Sequence, residues 1–159
     1  AKYAQTTLQL MEKGVFPKEY APFASKDEAL GWMNFINGFF TAEKDGKASA
    51  SSMYKATLYE TPIKNSSQPY ILIANYYEAL YEKAVKDKAD TAMVSKIVDQ
   101  LLDAYARAYT IGVTEKNPAA ETWKQRIAQV YKFTKGTDAG LESYIKYIVS
   151  TPFKDPANF

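Results

Sequence analysis

Histidine and cysteine are both missing from the 159 residues. Their absence removes disulfides, thiol nucleophiles, Cys/His zinc sites, haem ligation by His, and every Ser-His-Asp or Cys-His arrangement. It does not assign a compartment, because a thiol-free chain suits reducing and oxidising surroundings alike. No apolar run reaches the ~18–20 residues that a membrane-spanning helix needs. An excess of one charge is lacking too: 20 Lys and Arg stand against 18 Asp and Glu, a net +2. That balance leaves no clustered basic footprint for nucleic acid. Lys83, Lys86 and Lys88 alternate with Glu82, Asp87 and Asp90, the mixture of a solvated helix end.

What the chain does hold is aromatic: 13 Tyr and 8 Phe lift that class to 14%. Rings fill the gaps between packed helices, and Tyr is also enriched where surfaces meet partners. Hydrophobic residues at 47% and charged residues at 24% match an ordinary globular protein. The length fits one domain that buries roughly 70% of its unfolded surface. The chain opens on Ala1 rather than Met. That start fits a mature protein after signal-peptide removal, a shortened chain, or part of a longer one.

Apolar spacing and helix breakers predict seven helices and no strand, an all-α fold. The first covers residues 2–13 and ends at Gly14. Pro17 and Pro22 interrupt the next stretch, and its Val15, Phe16, Tyr20 and Phe23 are expected to wrap over the first helices. Ser25 and Glu28 form a capping box before Leu30, Trp32, Phe35, Ile36, Phe39 and Phe40, a stripe that stops at Lys44-Asp45-Gly46. Further helices are predicted over 48–60, 69–85, 91–111, 118–134 and 138–150. Thr61-Pro62 ends one, Pro69 lies in the first turn of the next, and Gly112 reads as a helix stop. The tail from Phe153 to Phe159, with its own proline, is expected to be extended.

The helices pair with a period near ~34 residues, which argues for a solenoid over a bundle. Between Lys124 and Pro152 the positions run Ile127, Ala128, Tyr131, then Gly140, Tyr144 and Pro152. Tyr70, Ile73, Ala74 and Tyr77 repeat the first half of that pattern, and Leu101, Tyr105, Ala108 and Pro118 its second half. Trp32, Phe35 and Phe39, then Ser49, Met53, Ala56 and Pro62, form an earlier copy. Ala74, Ala108, Ala128 and Gly140 are small where helices would approach closely.

Over about residues 30–152 these positions resemble tetratricopeptide repeat proteins. Runs such as Gly31-Trp32-Met33-Asn34-Phe35 and Val98-Asp99-Gln100-Leu101-Leu102-Asp103-Ala104 look like exported repeat proteins of acidobacterial type. The resemblance implies a right-handed helical solenoid of about three helix pairs behind an N-terminal helix. Its divisions would be a capping helix and wrap (1–25), repeats at 26–62, 69–118 and 119–152, and a tail at 153–159. The middle copy is longer than the repeat norm. Export to the periplasm, cell envelope or exterior is implied as well, since such proteins begin with a signal peptide.

Proteins of this family bind extended peptides on the concave face of their first helices. By that register Met33, Asn37 and Phe40 would line it in the first repeat. Ile71, Asn75 and Glu78 would follow in the second, and Gln125, Gln129 and Lys132 in the third. Amide side chains suit capture of peptide backbone, having both donors and acceptors. Some relatives clamp a terminal carboxylate; Asn37 and Arg126 occupy two of those places here, while Met33, Leu72 and Thr122 replace the others.

Asp99 and Asp103 share a helix face, but without further oxygen donors a solvated or Arg107-paired face is expected there, not a metal site. Asn65-Ser66-Ser67 fits the N-glycosylation tripeptide, which is common by chance. The sequence therefore points to a non-enzymatic adaptor without cofactor or metal, one that binds a protein or peptide within a larger envelope or extracellular assembly. The alternative is a self-assembling protein whose aromatic end and tail dock on the next copy.

Overall fold

The computed structural model describes residues 2–159. Among these residues there are seven α-helices and no strand. The helices are α1 (Lys2–Glu12), α2 (Lys26–Thr41), α3 (Gly46–Ala56), α4 (Ser67–Lys86), α5 (Thr91–Glu115), α6 (Ala120–Lys135) and α7 (Leu141–Ser150). Two short 3-10 turns, Pro62–Asn65 and Pro156–Asn158, complete the regular structure. The all-α class and the seven helices are as the sequence predicts. Contacts divide the chain into two compact units, residues 2–65 with 155–159, and residues 66–154.

In the first unit α2 packs against both α1 and α3. Its start is the predicted capping box: the Ser25 hydroxyl accepts from the Glu28 N–H at 3.1 Å. The Glu28 carboxylate reaches back to the Ala24 N–H at 2.7 Å, one residue earlier than the usual box. Asp45 caps α3 by accepting from the Ala48 N–H at 2.9 Å. Gly38 sets how closely α2 meets α3. A Cβ there would stand 3.0 Å from the buried Met53 side chain and 3.0 Å from the Ser49 carbonyl. The Gly38 carbonyl itself accepts from the Ser49 hydroxyl at 2.7 Å.

Two expectations for this unit need correction. Val15 and Phe16 do not pack as a wrap; both are exposed, and the Lys26 ammonium sits 3.9 Å from the Phe16 ring centre. The Ala21–Pro22 bond is cis. The end of the tail is not extended either. Asp155 caps a 3-10 turn by accepting from the Ala157 N–H at 2.8 Å, and Pro156 is buried as this turn packs on α3. Lys47 donates to the Phe159 carbonyl at 3.1 Å.

The second unit is built on the α4–α5 pair. Its contact surface is Ile73, Ala74 and Tyr77 on α4 with Leu101, Ala104 and Ala108 on α5, all fully buried. Removing such an Ile or Leu side chain from water is worth about 1.5–3 kcal/mol. The two helices run antiparallel, so the end of α5 meets the start of α4. There the Glu115 carboxylate accepts from the Ser67 N–H at 3.2 Å and the Ser67 hydroxyl at 2.5 Å. A carboxylate at a helix N-terminus satisfies orphan donors and complements the helix dipole.

Gly112 is not the stop it resembled. α5 continues to Glu115 and ends where Lys116 turns left-handed, with φ +56°, while the Asn117 N–H closes on the Gly112 carbonyl at 2.8 Å. The glycine serves the approach of α6 instead: a Cβ on Gly112 would lie 2.6 Å from the Trp123 ring. α7 rests on α5 through buried Leu141 and Ile145. It faces α6 through longer groups, Tyr131 with Tyr144 at 5.0 Å between rings, and Lys124 with Glu142 at 2.6 Å.

The close α2–α3 contact predicts the effect of Gly38→Ala. Helix propensity alone would favour Ala by about 1 kcal/mol. Overpacking against Met53 and a backbone oxygen costs about 1–3 kcal/mol, so the variant should lose about 1 kcal/mol net. A urea midpoint equal to or above the parent's would contradict this account of the contact.

Candidate protein-binding face

The residues expected to contact a partner fall into two sets, one in each unit. On α2, Met33 and Asn37 are half-buried and Phe40 is exposed. Asn37 is already engaged, its amide donating to the Ser52 hydroxyl on α3 at 2.9 Å. Beside these, the rings of Trp32, Phe35, Phe39 and Phe40 form a ladder with centres 5.4–6.4 Å apart.

The second set is drawn together by charge. On α4, Ile71 and Glu78 are half-buried and Asn75 is exposed; on α6, Gln125, Gln129 and Lys132 are exposed. Between the two helices the Arg126 guanidinium grips both oxygens of Glu78, with Nε at 3.1 Å from one and Nη2 on the other. Its remaining nitrogen, Nη1, donates to the Gln129 side-chain oxygen at 3.2 Å. A planar fork meeting a carboxylate at two points fixes distance and orientation together. The result is a face whose two helices are held in register by a pair that the sequence separates by 48 positions.

Tyr105 of α5 is buried close enough to this pair to feel both of its charges. Burial, reinforced by the Glu78 charge, pushes its pKa up to about 12. The tyrosine therefore stays protonated across the physiological range and adds no charge of its own beside the pair. The Glu78 hydrogen bond in turn raises the pKa of Arg126. The sequence signals Glu78 and Arg126 separately. It does not signal Tyr105, which the repeat pattern marks only as a core aromatic.

A second polar knot holds α7. The Arg107 Nε donates to Asp103 Oδ1 at 2.7 Å, and Nη2 donates to the Ile148 carbonyl at 3.1 Å and the Thr151 carbonyl at 2.5 Å. The guanidinium also lies 4.9 Å from the centre of the Phe153 ring, which in turn packs on Tyr70. A cation at the end of α7 complements the helix dipole there. Asp103 and Arg107 have the expected i,i+4 spacing, yet they are not a solvated face: the carboxylate side chain is 6% exposed and the guanidinium 13%. Asp99, one turn earlier, is exposed.

No protein-family profile matches this chain, and no curated protein or solved structure gives a match.

These knots can be tested by two measurements. A double-mutant cycle on Glu78→Ala and Arg126→Ala should give a coupling of about 1 kcal/mol, a part-exposed value enlarged by bidentate geometry. Zero coupling would mean the pair does not hold α4 to α6. For Asp103, burial raises the pKa above its ordinary 3.8, and attraction to Arg107 and Lys154 only partly offsets this. The folded state then binds the proton more tightly than the unfolded chain, so this contribution is full below about pH 3.8 and is lost as pH rises through the raised value. The stability difference between Asp103→Asn and the parent, measured by chemical denaturation, should therefore move in the variant's favour as pH rises from below the ordinary carboxylate value to neutrality. A difference that moves the other way would show that the ion pair, not burial, governs Asp103.

Proposed function

We propose that this chain is a non-enzymatic helical-repeat scaffold, of tetratricopeptide type, that binds a protein or peptide partner on its α4/α6 face. One observation carries the reading: Asn75, Gln125 and Gln129 are exposed amides on two helices fixed by the Glu78–Arg126 pair. Asn75 and Gln125 each offer a donor and an acceptor, and Gln129, whose oxygen accepts from Arg126, presents its N–H donors; together they complement an extended main chain, and side-chain identity in the partner matters little to such contacts. Helices held in place before a partner arrives leave less ordering to be done at binding.

The solenoid reading draws support from the order of packing in the second unit. α4 lies on α5, α5 on α6, and the first helices of the two pairs meet through Glu78 and Arg126. Arg126 is occupied by Glu78 and Gln129, so a partner's terminal carboxylate would have to displace them. This favours internal peptide segments as the ligand. A non-enzymatic role fits the lack of His and Cys and the pairing of Glu78 with Arg126. Export to the periplasm, envelope or exterior rests on the family resemblance.

Selection of a displayed random-peptide library on the parent protein supplies a ligand for the test. The triple variant Asn75→Ala, Gln125→Ala, Gln129→Ala should bind the selected peptide at least ~10-fold more weakly, since each lost hydrogen bond is worth about 0.5–1.5 kcal/mol. Its helicity by circular dichroism should match the parent's. Equal affinity in the variant would remove this face as the site.

A further inference from the structure

We draw no further inference here: the strongest candidate, the aromatic ridge of Trp32, Phe35, Phe39 and Phe40 along α2, leaves Phe39 and Phe40 48% and 58% exposed, but nothing in the structure shows what covers it.

Discussion

Close approach of helices at small residues is the constraint on which both units rest. Without disulfide or His/Cys metal site to staple the chain, packing carries the stability, and helices approach most closely where side chains are smallest. In the first unit Gly38 lets α2 reach the Ser49 carbonyl and Met53 of α3. In the second, Ala74, Ala104 and Ala108 are fully buried in the α4–α5 pair, and Gly112 admits the Trp123 ring of α6. Large residues then fill the spaces beside these crossings, as Tyr77, Leu101 and Ile127 do.

Polar groups add what close packing does not, namely register. A hydrophobic contact between two helices tolerates sliding, whereas a bidentate guanidinium–carboxylate pair does not. Arg126 with Glu78 ties α6 to α4, and Arg107 ties the end of α7 to α5 through two carbonyls while Asp103 balances its charge. Burying Asp103 and Arg107 costs desolvation, and removal of either partner alone strands the other. Phe153 and Tyr70 shield that knot from one side, so the chain just beyond α7 belongs to the packing of the second unit.

Much of this fold is legible in the sequence because its signals are local. The capping box at Ser25, the proline in the first turn of α4 and the apolar stripes each need only neighbours within a turn or two. The errors have local causes as well. Gly112 reads as a stop because glycine serves both helix ends and close contacts, and the partner that decides between them, Trp123, lies eleven positions on in another helix. Asp155-Pro156 reads as extended chain, although Asp before Pro also starts a capped turn. The candidate face is legible as a set of positions and not as a structure. Glu78, Tyr105 and Arg126 sit on three helices, and only the packing of those helices decides that the three groups meet.

The α4/α6 face combines these effects: small residues seat α4 and α6 on α5, the ion pair ties the two across it, and the amides remain exposed on the surface so formed. Side-chain amide resonances report on that surface directly. In a 15N NMR titration with a selected peptide, the account predicts shifts of the side-chain amides of Asn75, Gln125 and Gln129, while that of Asn37, bonded to Ser52, stays in place. Shifts confined to α2 and its aromatic ridge, with those three amides unmoved, would contradict it.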